Sequence, residues 1–205
     1  MKDSGIGFAP IKIDSGESVH VISGVSGQLL KVDTQLNRLG EVSQPFPALI
    51  TSSTIVKEKW IGVWIERDLR QARMAAFELN GEWGNGDSKA DLRNNKLDSA
   101  LHPSSSIWSQ ILDSEPTALS NVDDSICFST INRGIYRIDD ESKEIWRAEI
   151  PEWKEVSKIK SLDEIIGFLN TEEGTVLFSK AGGFAVIDEA GNVIKKGVLK
   201  LPEVI

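Results

Sequence analysis

The feature that most constrains this chain is a pattern that recurs four times along it. Each copy has an apolar run, a turn, a second apolar run, a polar turn and a third run. The copies lie near residues 19–42, 60–83, 125–150 and 175–199. The second run ends at Asp33, Asn80, Asp139 and Asp188, spaced by 47, 59 and 49 residues. A period of this length indicates a repeated structural unit that buries its apolar faces by stacking on its neighbours.

The runs have the composition of β-strands. They are five to seven residues long, rich in Val, Ile, Phe and Trp, and separated by Gly, Asn and Asp. Apolar residues occupy both faces of a run, as at Ile126, Cys127 and Phe128, so such a strand must be covered on both sides. We see no helical pattern long enough to supply that cover. We therefore predict an all-β chain with further strands at residues 48–56, 107–112, 156–159 and 165–170.

The repeat does not settle the structure of two segments. Residues 84–106 are rich in Gly, Asn, Asp and Ser, and we interpret them as a surface insertion or a long loop between strands. Residues 66–79 contain good helix formers, although the repeat assigns 72–79 to a strand. The Asn80-Gly81 pair that follows is a hairpin signal, which favours the strand over the helix.

The segment Gly134-Ile-Tyr-Arg-Ile-Asp139, with Trp146 seven residues further on, resembles the repeat of PQQ-like and WD40-like β-propeller proteins. Residues 183–188 and 27–33 are similar but lack the Trp. The resemblance implies one propeller-like domain over residues 1–205, with about four blades of antiparallel strands. Three arrangements stay open: a small ring, a fragment of a larger propeller, or a partial ring that a second copy completes. A strand at 11–13 would close the ring by pairing with the last blade.

The resemblance also indicates what a quinone-dependent member would need: PQQ, calcium, a catalytic Asp and often a vicinal disulfide. The single cysteine, Cys127, cannot form that disulfide, and we predict that it is a buried, small apolar residue. The paired acids fall in predicted turns, where Asp is favoured for backbone reasons. His20 and His102 have no evident catalytic partner, and no nucleotide-binding or nucleophile motif occurs. We predict no cofactor, no metal and no catalytic residue.

The candidate binding residues are aromatic and basic. Three of the six tryptophans lie near predicted strand ends, where either blade packing or an exposed patch for a peptide or glycan would account for them. Three arginines cluster around one predicted turn, which indicates either a solvated loop or a contact with an acidic partner. These candidates are Trp60, Trp64, Trp153, Arg67, Arg70 and Arg73.

Charge and hydropathy reduce the number of functions that we expect for this chain. The net charge of −8 argues against binding to nucleic acid or to an anionic membrane surface. No signal peptide or membrane span is evident, so we expect a cytoplasmic protein. The function we favour is a non-catalytic scaffold that binds a protein or peptide, with self-association as a further option. The alternatives are a hydrolase, lyase or quinone-dependent oxidoreductase with its site in a central channel, and a truncated propeller without independent function.

Overall fold

The computed structural model describes residues 5–68, 71–94, 102–131, 133–155 and 164–199. Its contacts divide the chain into two compact units, residues 1–112 and 113–205. Among these described residues the regular structure is almost entirely β, and no helix is long and apolar enough to cross a membrane.

The first unit contains two antiparallel sheets. The first sheet has three strands in chain order, and the second has four. A short helix, α1 (Lys89–Asn94), lies in the connection between the last two strands of the second sheet. The strands of the first sheet are β1 (Pro10–Ser15), β2 (Val19–Gly24) and β3 (Leu29–Asp33). Those of the second are β4 (Leu49–Val56), β5 (Lys59–Glu66), β6 (Gln71–Glu78) and β7 (Trp108–Leu112).

The second unit also contains two antiparallel sheets, each with four strands in chain order. The third sheet consists of β8 (Pro116–Val122), β9 (Ser125–Thr130), β10 (Gly134–Ile138) and β11 (Glu144–Ala148). The fourth consists of β12 (Ile165–Thr171), β13 (Gly174–Ser179), β14 (Gly183–Ile187) and β15 (Val193–Val198). The described part of the chain is thus all-β, with four antiparallel sheets, as the repeat predicts.

Individual strands confirm much of the pattern. Residues 71–78 form β6, which pairs along its whole length with β5, so the strand prediction for this segment is correct. Strands also occupy the predicted segments 48–56, 107–112 and 165–170, whereas the predicted strand at 156–159 lies outside the described residues. The insertion at 84–106 separates β6 from β7, its neighbour in the same sheet.

Other predictions are wrong. Residues 11–13 lie in β1, which pairs with β2 in the first sheet and not with the last strand. The third run of the first copy, residues 39–42, forms no strand: two isolated bridges, at Leu29–Ser43 and Val32–Arg38, stand in its place. The run ending at Trp83 is not a strand either, and the second sheet takes its last strand from beyond the insertion. Strand β8 was not foreseen, because Pro116 and three polar residues obscure its alternation.

The Asp residues that end the second runs have a shared structural role. The Oδ1 atom of Asp33, Asp139 and Asp188 accepts hydrogen bonds from the backbone N–H groups two and four residues later, at 2.8–2.9 Å. The residue three positions after each Asp has positive φ: 65° at Leu36, 71° at Ser142 and 89° at Gly191. The carboxylates therefore hold the same turn in three sheets, as the turn interpretation predicted. Asn80 does not share this role, because its side chain donates to Glu58.

Each unit has its own core. In the first unit, the facing sides of the two sheets bury an apolar cluster that includes Val21, Leu29, Phe46 and Trp64. In the second unit, a cluster of the third and fourth sheets includes Cys127, Trp146 and Leu177. The strand register decides which residues enter these clusters, since cross-strand partners in an antiparallel pair share one face.

Candidate functional site

The three candidate tryptophans are packed inside the protein. Trp60 and Trp64 are 0% exposed and Trp153 is 2% exposed, so the expectation of an exposed aromatic patch is wrong for these residues. Trp60 and Trp64 lie four residues apart on one face of β5, with ring centroids 5.6 Å apart in an edge-to-face arrangement. Trp153 Nε1 donates to the carbonyl of Phe184 at 2.9 Å. Packing between sheets accounts for all three, and a binding role for them stays a prediction.

Trp60 also belongs to a buried polar network that joins the first two sheets. Asp14, on β1, is 7% exposed. Its Oδ2 accepts from Trp60 Nε1 at 2.7 Å and from Ser53 Oγ at 2.5 Å, and its Oδ1 lies 2.7 Å from Lys12 Nζ. Lys12 also donates to the Ser53 carbonyl and hydroxyl. Every polar atom of this carboxylate therefore has a partner, which makes the network structural and not a free acid.

The three candidate arginines are not one basic cluster. Arg67 is exposed directly after β5, and Arg70 lies outside the described residues. Arg73 lies within β6 and is only 1% exposed, so the solvated-loop interpretation is wrong for it. Its guanidinium carbon lies 5.7 Å from the centroid of the Phe46 ring, and within the described ranges none of its three nitrogens has a hydrogen-bond partner. Burial lowers the pKa of Arg73.

Concave surface occurs elsewhere in the first unit. Three loops enclose a groove of about 550 Å³, here called the loop groove. The first is the turn between β2 and β3, the second is the segment between β3 and β4, and the third is the part of the insertion that leads into α1. The lining residues are Val25, Ser26, Gln44, Pro47, Ala48, Leu49, Asn85, Gly86, Asp87, Ser88 and Lys89.

Hydrogen bonds fix the three loops to one another. Gln44 Nε2 donates to the carbonyl of Ser26 at 2.6 Å, and the Gln44 backbone N–H donates to Asn85 Oδ1 at 2.8 Å. The Gly86 N–H donates to the Gln44 carbonyl at 2.9 Å. A Cβ atom at position 86 would come within 2.0 Å of the Pro45 carbonyl oxygen, so only glycine permits this approach. The groove is therefore preformed.

The end of the groove formed by the insertion is also anchored. Ser88 caps α1, because its Oγ accepts from the Asp91 backbone N–H at 3.3 Å. The same hydroxyl donates to Asp91 Oδ2 at 2.7 Å, and this hydrogen bond lowers the pKa of Asp91. Leu92, one turn into the helix, is 4% exposed and joins the core of the first unit. Lys89 Nζ lies 3.7 Å from Glu66 Oε2. An apolar anchor, a helix cap and ion pairs from Lys89 and Arg93 thus hold this polar insertion in place.

The chemistry of the loop groove suits a peptide. Val25 and Leu49 are 48% and 43% exposed, so they offer apolar surface to a ligand. The amide and hydroxyl groups around them can bind the polar backbone of an extended chain. Its charged lining residues are one acid, Asp87, and one base, Lys89, so the lining has no excess of either sign.

The paired acids and Cys127 lie in a turn and in the core, respectively. Asp123 and Asp124 form the two-residue turn between β8 and β9, with φ of 50° and 54°, a hairpin geometry for which Asp is well suited. Within the described ranges no group of three or more His, Cys, Asp and Glu side chains is arranged to hold a metal ion. Cys127 is 0% exposed, and burial raises the pKa of its thiol to about 12. It is a buried apolar residue, as predicted.

Sequence reasoning missed the residues of the loop groove. The available signal was the composition of residues 84–91, where two glycines alternate with Asn and Asp directly before a helix cap. That composition indicates a tight loop, but it does not say which loop packs against it. The contact of Gly86 with Pro45 joins residues 41 positions apart in the sequence, and no local pattern predicts it.

Comparison with known proteins reveals the fold. No family model and no curated protein sequence matches the chain. Among solved structures it is similar to the WD40 domain of Pan2 from Neurospora crassa, with 11% identity, a TM-score of 0.54, and coverage of 96% of this chain and 52% of that one. It is similar to Hsv2 from Kluyveromyces lactis, with 9% identity, a TM-score of 0.58, and coverage of 96% and 60%.

A third similar structure is a protein of unknown function from Bacteroides caccae, with 7% identity, a TM-score of 0.55, and coverage of 95% and 62%. The chain therefore spans about half to three fifths of the length of these three structures. Identities this low establish the fold alone. Four antiparallel sheets of consecutive strands, together with these similarities, show that the chain has a WD40-like, β-propeller-like fold.

Proposed function

We propose that this protein is a non-catalytic binding module that holds a short peptide segment of a partner protein in the loop groove. The single observation that carries the proposal is a preformed concave surface in which Val25 and Leu49 are exposed among amide and hydroxyl groups. Its volume, about 550 Å³, falls in the range of ordinary ligand sites. The fold supports the proposal, because propellers carry their binding sites on loops at the ends of the strands.

The mode of binding follows from the lining. An apolar side chain of the peptide would pack on Val25 and Leu49, while its backbone would exchange hydrogen bonds with Gln44 Oε1 and Asn85 Nδ2, the side-chain amide atoms not used between the loops. Burying one such side chain contributes about 1.5–3 kcal/mol, which corresponds to roughly a 10- to 150-fold change in affinity. The preformed loops reduce the entropy lost on binding.

The experiment is a selection of random dodecapeptides displayed on phage against the full chain, followed by calorimetry with the enriched peptides. We expect enriched peptides with a shared apolar residue and at least tenfold weaker binding to Leu49→Asp. The matched control is Leu169→Asp, which changes an exposed leucine of the fourth sheet and should not affect peptide affinity. Failure to enrich any peptide, or equal binding to wild type and Leu49→Asp, would refute the proposal.

A second function, assembly with another copy of this chain, is favoured by a separate observation on the fourth sheet. The register aligns Leu169 with Val176 and Val186 in one row, and Phe178 with Phe184 in the next row of the same face. Leu169 is 55% exposed, and Val176, Phe178 and Phe184 are only half-buried. A partly exposed apolar face of this kind suits a twofold contact between identical chains.

Light scattering after size exclusion, at several protein concentrations, tests this assembly. The chain has a mass of 22.5 kDa, so a dimer is readily distinguished from a monomer. We expect a dimer for wild type and for Leu49→Asp, and a monomer for Leu169→Asp. A monomer at every wild-type concentration would refute self-association and leave the peptide proposal unaffected.

A further inference from the structure

The second unit contains a cationic pocket, which shares no residue with the loop groove of the first unit. It has a volume of about 260 Å³ and is lined by Arg133, Tyr136, Arg147, Ala148 and Glu149. We propose that this pocket binds a single carboxylate of an acidic peptide segment, a site separate from the loop groove. It deepens the proposed binding function, because it gives the chemistry of a second contact with a protein partner.

Strand pairing positions the pocket. Tyr136 on β10 lies opposite Phe128 on β9 and Arg147 on β11, so the three side chains form one row across the third sheet. The Phe128 and Tyr136 rings are stacked, with centroids 4.9 Å apart and planes inclined by 12°. Phe128 is 4% exposed and thus provides a fixed support for the tyrosine ring. The side of the pocket formed by Tyr136 and Arg147 is therefore part of the sheet, while Arg133 and Glu149 lie directly outside the strands.

The two arginines are available for a ligand. Arg133 is exposed in the connection from β9 to β10. The Arg147 side chain is 73% exposed, and its Nε lies 3.9 Å from Glu144 Oε1, a distance too long for a hydrogen bond. An exposed ion pair of this kind contributes little, so an incoming carboxylate can replace it at small cost. Guanidinium groups bind carboxylates through two parallel hydrogen bonds, which a lysine cannot reproduce.

Glu149 determines which anion the pocket prefers. The lining has two positive groups and one negative group, so one carboxylate neutralises it, whereas a phosphate dianion leaves one negative charge in excess and is repelled more strongly by Glu149. The Glu149 carboxylate can in addition accept a hydrogen bond from the backbone N–H of a bound peptide. The chain as a whole carries a net charge of −8, whereas the residues that line this pocket carry a net positive charge.

The test is an NMR titration of the ¹⁵N-labelled full chain with the peptide acetyl-Ala-Glu-Ala-amide. The matched probes are the same peptide with Gln in place of Glu, and with phosphoserine in place of Glu. We expect the Glu peptide to shift the amide signals of Gly134 and Arg147, and to bind at least fivefold more tightly than either alternative. If the Gln peptide binds equally well, or if these two signals do not move, the proposal is wrong.

Variants separate this pocket from general charge effects. Arg147→Gln should weaken binding of the Glu peptide roughly tenfold. Lys180→Gln, an equal change of charge at an exposed residue directly after β13, should leave it unchanged. Glu149→Gln should improve the affinity for the phosphoserine peptide relative to the Glu peptide. Equal losses in Arg147→Gln and Lys180→Gln would show non-specific attraction and overturn the proposal. Leu49→Asp should have no effect, which distinguishes failure here from failure at the loop groove.

Discussion

Arg73→Met should make the protein more stable. Arg73 is 1% exposed, and its Nε, Nη1 and Nη2 atoms are all buried without a hydrogen-bond partner among the described residues. Arginine keeps its charge even where burial lowers its pKa, so the side chain is a desolvated cation with no counter-ion in the described part of the chain. Methionine keeps an unbranched apolar stem in the same place and removes the charged group.

The magnitude follows from two opposing terms. An unsatisfied buried polar group costs about 1–3 kcal/mol, and a charged one costs more. The attraction of the guanidinium to the Phe46 ring, at 5.7 Å, returns about 0.5–2 kcal/mol. The net expectation is that Arg73→Met raises the free energy of unfolding by about 2 kcal/mol. For a chain of this size that corresponds to a rise in Tm of roughly 4–8 °C.

Thermal unfolding followed by circular dichroism, together with urea titration, provides the measurement. The matched control is Arg137→Met. The Arg137 side chain is 12% exposed, but its Nε donates to Ser125 Oγ at 2.6 Å and its Nη2 lies 3.7 Å from Asp123. That substitution should lower stability by about 1–2 kcal/mol, because it removes satisfied hydrogen bonds. A fall in Tm for Arg73→Met, with the secondary structure unchanged, would refute the reasoning and show that Arg73 has a stabilising partner.

Four further predictions concern single features of the fold. Asp14→Asn should destabilise the protein by about 2–4 kcal/mol in urea titration, because Asn cannot accept the same hydrogen bonds or pair with a cation; unchanged stability would show that the buried network contributes nothing. Leu36→Asn should raise Tm slightly, since its φ of 65° disfavours leucine, and a fall would contradict the strain argument. Hydrogen bonds from Asn37 lower the pKa of Asp33 in the folded state, and hydrogen bonds from Asn192 lower that of Asp188. The stability that these carboxylates contribute is therefore present above the unfolded pKa of 3.8 and is lost as the pH falls through the folded values. Replacing both Asp33 and Asp188 by Asn should weaken the dependence of Tm on acid pH, and an unchanged acid profile would refute this. Cys127, with its pKa raised to about 12, should react with a thiol reagent only after unfolding, and rapid labelling of the native protein would show an open route to it.

The repeat predicted the sheets because it depends on local physics. A turn that needs Asp at one position and a positive φ three residues later produces a recognisable sequence pattern. This pattern occurs at Asp33, Asp139 and Asp188. A similar pattern occurs at Asn80, which does not form such a turn, because Asn is also favoured in turns of other kinds. Local composition was therefore sufficient to place most strands and insufficient to distinguish one turn type from another.

Burial and sites were harder to predict because they depend on contacts between distant residues. The sequence leaves both packing and exposure open for Trp60 and Trp64, and their burial depends on contacts with distant residues such as Val21 and Phe46. Arg73 carries a charge, which in a sequence indicates a surface position, yet the register of β6 turns it into the interior. The loop groove combines three segments that no periodicity connects.

The pairing of consecutive strands has a consequence for how such a chain can change in evolution. Each ladder among the described strands joins neighbours in the sequence, so a sheet carries all the information for its own register. Duplication or loss of a segment of about 50 residues, cut between two sheets, adds or removes one complete ladder and leaves the other registers intact. Chains with this architecture can therefore change length in whole-sheet steps, while insertions such as the one between β6 and β7 supply new binding surface without altering the ladders.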